Sequence, residues 1–282
     1  MSSCEFIENP TPEEFNNLTG SLKRPLIIEK AMDDWPARAW TEKSFRKQFG
    51  NLKINVRENN SQGNWYKDTR PQVMTIADYL DLIKKKPHFY AGNNFLEGLA
   101  EIKEQIFVPK FLYNRSNPRI DSLQTLWLGK DILTPLHYDI RYNVLAQVWG
   151  EKTVTLIPPG KYSTFYPETD RTMSSQIHNP YDFNSKKFPL FDKTKAIQIT
   201  LTPGQILFMP IFWWHFITAK KKLNCTITFH WFNPFSSMVF SPYFWAYFKN
   251  RPLGKFYELY FSPFDKKFFK GKVHQRLKKM IG

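Results

Sequence analysis

Between residues 121 and 231 the chain is a succession of short apolar segments: "DSLQTLWLG", "YNVLAQVWG", "KTVTLIPP", "AIQITLTPG", "QILFMP", "FWWHFITA" and "NCTITFHWF". Pro and Gly punctuate them. Each is too short for a long helix and is rich in β-branched or aromatic residues, so each predicts a strand. Short strands in series satisfy their backbone groups only by pairing with one another, which predicts an all-β sandwich or barrel. Aromatic residues at 17% and hydrophobic residues at 42% supply the core and exclude a disordered chain.

The flanks differ from this strand-rich half. Residues 1–120 read as mixed α/β elements. "TPEEFNNL" predicts a helix capped by Thr11 with Pro12 in its first turn, and "TEKSFRKQFG" predicts a helix from a cap at Thr41 to a stop at Gly50. "TIADYLDLIKKK" predicts a third helix with Ile76, Leu80 and Ile83 on one face, while "RPLIIEKA" and "NLKINVRE" predict strands. The segment 158–195, rich in Pro, Asp, Asn and Ser, reads as a long insertion between strands. Residues 233–282 hold 10 Lys/Arg, 2 Asp/Glu and 14 aromatics, and predict a basic, aromatic, helical extension broken by Pro252 and Pro263.

The formal charge of +15 implies an attraction to something anionic without naming it. Two cysteines, Cys4 and Cys225, exclude a disulfide-stapled fold. No signal-peptide pattern and no apolar run long enough to span a bilayer is visible, so the expected setting is intracellular: cytoplasmic, or nuclear if eukaryotic.

Three residues carry the chemistry. His137 and Asp139, in "LTPLHYDIRYN", are two apart and point to one side of an extended chain. His215, in "PIFWWHFITA", follows a turn and a strand. Two imidazoles and one carboxylate can occupy one face of an octahedral metal and leave the rest open, an arrangement suited to Fe(II) that binds a co-substrate and O2. Taken singly, an H-x-D pair or a histidine beside aromatics reads equally as core or surface. Lys152 shares a face with Val154 and Leu156 and, if buried there, needs an anion; on an edge strand it would face water.

The flanking sequence resembles the JmjC/cupin-like family of Fe(II)- and 2-oxoglutarate-dependent oxygenases. The nearest branch holds the factor-inhibiting-HIF-type asparaginyl hydroxylase and the tRNA wybutosine hydroxylase. The resemblance is strongest in "TPLHYDIRYNVLAQVWGEKTVTLIPP" and "LTPGQILFMPIFWWHFI", and extends through "RPLIIEKAMDDWPA" and "HFYAGNN". It implies a mainly β fold with flanking helices around a double-stranded β-helix (jelly-roll) core. The oxygenase domain would run over 1–232, its core over 121–232, with 233–282 appended. It implies that His137, Asp139 and His215 bind the metal and that Lys152 and Thr134 bind the distal carboxylate of 2-oxoglutarate. Tyr90 and Asn143 add polar contacts, and His230 stands where the asparaginyl hydroxylase pattern has an asparagine. From the residues alone, Thr134 is also a turn residue before Pro135, Asn143 a strand-end amide and Tyr90 an ordinary core residue. Phe212, Trp213, Trp214 and Phe216 are expected to wall the iron, and Arg141 and Arg171 to face substrate.

The implied reaction couples decarboxylation of 2-oxoglutarate to hydroxylation of a C–H bond, with O2 as oxidant. The expected substrate is a side chain of a protein or peptide. An RNA base is the alternative, favoured by charge and aromatics. Lysine demethylation and a non-catalytic jelly-roll binding module rank lower. The C-terminal helices are a candidate homodimer interface.

Overall fold

All seven strand-like segments of the C-terminal half form strands. The coordinates are a computed structural model describing residues 4–58, 70–113, 123–219, 222–231, 238 and 240–248. Strands β6 (Gln124–Gly129), β7 (Leu133–Tyr138), β8 (Tyr142–Trp149), β9 (Lys152–Ile157), β10 (Ile197–Leu201), β11 (Ile206–Met209), β12 (Trp214–Ala219) and β13 (Asn224–Trp231) make two facing four-stranded layers. The layer orders are β11-β8-β13-β6 and β10-β9-β12-β7, the alternation of a jelly-roll.

The N-terminal half extends the larger layer at both edges. β2 (Leu26–Glu29) pairs antiparallel with β11, and β1 (Glu5–Glu8) runs parallel to β2. On the other side β5 (Phe89–Phe95) pairs with β6, followed by β3 (Lys53–Glu58) and β4 (Gln72–Thr75). The helices form where their caps predict. α1 (Pro12–Leu18) and α2 (Glu42–Phe49) each open on a reciprocal capping box, Thr11 with Glu14 and Thr41 with Ser44. α3 (Ile76–Lys85) buries Ile76, Leu80 and Ile83 as its spacing requires, and α4 (Ala100–Lys103) is a single turn.

Strand alternation divides the large sheet chemically. Leu126, Leu128, Val144, Ala146, Ile227 and Phe229 face outward into the main core, against Trp40, Phe45 and Leu80. The residues between them, Thr125, Asn143, Thr226, Thr228 and His230, line the space between the layers. A polar inner face enclosed by two apolar shells is the position of a site, since buried polar groups require partners.

Gly129 sets the spacing at the foot of this face. A Cβ there would stand 2.6 Å from Ile132 Cγ1 and 2.8 Å from Tyr90 Cδ2. Gly129→Ala is expected to destabilise the fold by about 1–3 kcal/mol through overpacking, measured as a lower urea midpoint with unchanged slope.

The beginning of the C-terminal extension folds back on the smaller layer. In α5 (Pro242–Phe248), Tyr243 and Phe244 join a cluster with Tyr138, Phe165 and Trp214, and Tyr138 Oη donates to Tyr243 O at 3.0 Å. The expected helices around Pro252 and Pro263 lie outside the described residues.

Candidate metal centre

His137 and His215 stand directly opposite each other in the β7–β12 ladder, with ring centroids 4.1 Å apart. Asp139 follows β7, and its carbonyl accepts from Phe212 N–H at 2.9 Å, which ties the loop to the turn that leads into β12. Its Oδ2 lies 3.8 Å from His215 Nε2. One ligand atom from each of the three residues can be chosen so that all lie within 4.8 Å of one another.

The imidazoles are oriented by the backbone. His137 Nδ1 lies 2.8 Å from Pro135 O, and His215 Nδ1 lies 3.1 Å from Trp213 O. A carbonyl only accepts, so each Nδ1 carries the proton and each Nε2 is left with its lone pair for a metal. Burial pulls the His137 imidazole down to about 3, and His215 beside it acts in the same direction. Burial works to raise the Asp139 carboxyl, while His215, His137, His230 and the Arg141 guanidinium pull the other way and together hold it below the usual carboxylate range. Neutral imidazoles and an ionised carboxylate are the states a divalent ion requires.

The three side chains open onto a cavity of about 340 Å³ between the layers, which Thr134, Asn143, Lys152, His230 and Tyr90 also line. Lys152 is 4% exposed. Burial pulls its ammonium down to about 8, and no carboxylate among the described residues supports it. Its Nζ sits 6.0 Å from the centroid of the Tyr90 ring. Asn143 Oδ1 is buried with no hydrogen-bond partner among the described residues. A buried cation without an anion fits a small polar anion beside a metal, and the Asn143 amide oxygen offers an acceptor for a donor in the same cavity. The donor set, two nitrogens and one oxygen with an open side, fits Fe(II).

Thr134 reaches this cavity through an irregularity. Residues three apart on a regular strand face opposite ways. Here His215 pairs with His137 and Ile217 with Thr134, so β7 holds one extra residue around Pro135, a β-bulge. The bulge brings Thr134 back in phase with His137, while Leu136 and Tyr138 face the outer cluster. β7 is an edge strand, where a proline is tolerated.

The insertion caps that edge. Leu136 N–H donates to His178 O at 3.0 Å, Tyr138 N–H to Met173 O at 3.0 Å, and Ser175 N–H to Leu136 O at 2.9 Å. These bonds carry Arg171, Met173 and Ser174 to the cavity, which Arg141 also lines. Both arginines therefore border the cavity that holds the candidate ligands.

The aromatic wall expected from Phe212, Trp213, Trp214 and Phe216 is not there. None of the four lines the cavity. Trp214 and Phe216 alternate with His215 and so face away; Trp214 stacks on Phe165 at 4.6 Å and Phe216 packs against Tyr181. Trp213 Nε1 donates outward to Lys23 O at 3.2 Å. Trp127, Tyr90, Phe95 and Tyr247 supply the aromatic lining instead, with Met173 and Met209. The in-phase pair Thr125 and Trp127 in "QTLWLG" is the signal that could have found the indole.

The profile of the cupin-like domain family matches residues 12–238. The chain is 27% identical over 249 residues to Jumonji C domain-containing protein 5 of Drosophila melanogaster, covering 82% of this chain and 60% of that protein. It is 30% identical over 252 residues to HSPB1-associated protein 1 of Rattus norvegicus, covering 79% and 52%. It is 26% identical over 235 residues to Lysine-specific demethylase 8 of Xenopus tropicalis, covering 79% and 51%. The chain thus spans between half and three fifths of the length of these relatives.

Proposed function

The chain belongs to the cupin-like domain family, and on that premise we propose that it is an Fe(II)- and 2-oxoglutarate-dependent dioxygenase that hydroxylates an amino-acid side chain of a protein or peptide. The observation that carries this reading is the convergence of His137, Asp139 and His215 at a cavity that also holds an unpaired buried lysine. Likeness to JmjC-named relatives supports the oxygenase class, and the name of the demethylase among them supports a protein substrate.

Each residue has a task in this reading. His137 Nε2, His215 Nε2 and an Asp139 oxygen hold the metal. Lys152 neutralises the distal carboxylate of 2-oxoglutarate, and the Thr134 hydroxyl donates to it. Asn143, Tyr90 and His230 supply polar contacts around the co-substrate. Arg141 and Arg171 orient the incoming substrate at the mouth. Trp127, Met173 and Met209 keep water from the reacting groups. Fe(II), 2-oxoglutarate and O2 together supply the oxidant, yielding succinate, CO2 and a hydroxylated C–H position.

The domain division follows the same reading: an oxygenase domain over 1–232 and a basic aromatic extension over 233–282 that serves as a homodimer interface. Two free cysteines accord with a reducing, intracellular setting. No helix among the described residues is long and apolar enough to cross a membrane.

The test is mass spectrometry of cell-extract protein and RNA fractions, incubated with the purified chain, Fe(II) and 2-oxoglutarate. A hydroxylated peptide that requires all three is the expected result; a hydroxylated nucleoside without one would overturn the protein-substrate assignment. The +15 charge favours that second outcome. RNA binding would then weaken steeply with added salt, and a flat salt response would exclude it.

A further inference from the structure

The inner face of the large sheet carries a line of hydrogen bonds that ends on His230. Thr125 stands opposite Thr228 in the β6–β13 ladder, and Trp127 and His230 lie two residues further along the same face of their strands. Trp127 Nε1 is 2.8 Å from Thr125 Oγ1 and 3.1 Å from Thr228 Oγ1. The two hydroxyl oxygens are 2.5 Å apart, and Thr228 Oγ1 is 3.1 Å from His230 Nε2.

This line has a direction. An indole N–H can only donate, and each threonine hydroxyl has one proton. If Thr125 donates to Thr228 and Thr228 donates to His230 Nε2, every proton in the line has an acceptor. The reverse order puts a proton on His230 Nε2 and turns the Thr228 hydroxyl back toward Thr125. The Thr125 proton then has no acceptor among the described residues, on a side chain that is 1% exposed. Stranding a buried donor biases the two arrangements by roughly tenfold or more.

The start of the line is fixed sterically. A Cβ on Gly92 would lie 2.7 Å from Trp127 Cζ3, so glycine is what lets the indole lie against β5, where the Tyr90 ring centroid is 5.5 Å away. At the other end, the His230 ring lines the cavity, and no hydrogen bond to its Nδ1 occurs among the described residues.

We infer that Trp127, Thr125 and Thr228 are positioning residues that hold His230 as its Nδ1–H tautomer, so that the ring offers a hydrogen-bond donor to a carboxylate oxygen bound beside Asp139. The donor role rests on the 2-oxoglutarate reading of the cavity; the tautomer does not. The inference also accounts for an imidazole where the related hydroxylase pattern has an asparagine, because a fixed Nδ1–H supplies a donor as a carboxamide does.

The test is long-range proton–nitrogen NMR of the full chain with ¹⁵N-labelled histidine and Zn(II) as a diamagnetic ion, with His230→Gln assigning the signal. Expected is a bare Nε2 and a protonated Nδ1 on His230. Thr228→Val should move the ring toward the Nε2–H form by roughly tenfold, and Thr228→Ser should leave it as in the wild type. With Zn(II) present, N-oxalylglycine should bind roughly tenfold more weakly to Thr228→Val than to Thr228→Ser. A wild-type ring protonated on Nε2 overturns the inference, and needs no variant that might fail to fold. An unchanged tautomer in folded Thr228→Val does the same, and equal N-oxalylglycine affinities overturn the donor role. An Nδ1–H ring in a chain that forms no succinate overturns the oxygenase reading and leaves the relay standing.

Discussion

Asp139→Ala is expected to abolish succinate formation from 2-oxoglutarate, down to the level seen without Fe(II). Asp139 is the only carboxylate among the described cavity-lining residues, so the variant leaves two imidazoles and no anion for a divalent ion. His137→Ala and His215→Ala should do the same, because each removes the sole nitrogen donor from its strand. The measurement is succinate release by a chain verified free of metal and then supplied with Fe(II). Wild-type turnover in folded Asp139→Ala would remove the triad from the mechanism and the oxygenase assignment with it.

Lys152→Met should separate co-substrate binding from metal binding. Removing one partner of a buried, hydrogen-bonded charge pair costs about 2–5 kcal/mol. The affinity for 2-oxoglutarate should therefore fall roughly 30-fold or more, while Fe(II) affinity changes little. Stability in the absence of 2-oxoglutarate should move the other way. The Lys152 amine keeps its proton only up to about pH 8 in the folded chain, against about 10.4 when unfolded. Between those values the unfolded state binds more protons, so wild-type stability gains a contribution that grows with pH through the window. Below it the folded chain bears the whole cost of an unpaired buried ammonium. Lys152→Met should therefore melt higher than the wild type at neutral pH without 2-oxoglutarate, lack the alkaline gain and lose the stabilisation that 2-oxoglutarate confers. Equal 2-oxoglutarate affinity in the two proteins would take Lys152 out of the site.

Much of this architecture is legible in the sequence. Capping residues mark α1 and α2, and period-two patterns mark the barrel strands. Four strands escape such reading: β1 and β4 are four-residue edge strands too short to show a period, and β5 and β7 break the period. β5 contains Gly92-Asn93-Asn94, which resembles a turn; it is a bulge, with Asn93 at φ 58° and an extra residue opposite β6. β7 contains Pro135, which argues against a central strand and is tolerated only at an edge. The ligands His137, Asp139 and His215 are recognisable because their chemistry is specific and their spacing survives folding. The aromatics around His215 mislead for the opposite reason: proximity in sequence puts Trp214 and Phe216 on the wrong side of β12. The Trp127–Thr125–Thr228–His230 line joins strands about a hundred residues apart, and no local pattern announces it.

The pairing of the 173–178 stretch with β7 also limits how a substrate can arrive. An extended peptide often docks by adding itself to a sheet's free margin, but along Leu136 and Tyr138 the amides that would receive it already donate to the protein's own insertion. A polypeptide guest is thus denied main-chain zippering on the ligand-bearing strand. It has to thread one side chain down into the barrel, so recognition on that side falls to the rim's side chains rather than to backbone complementarity.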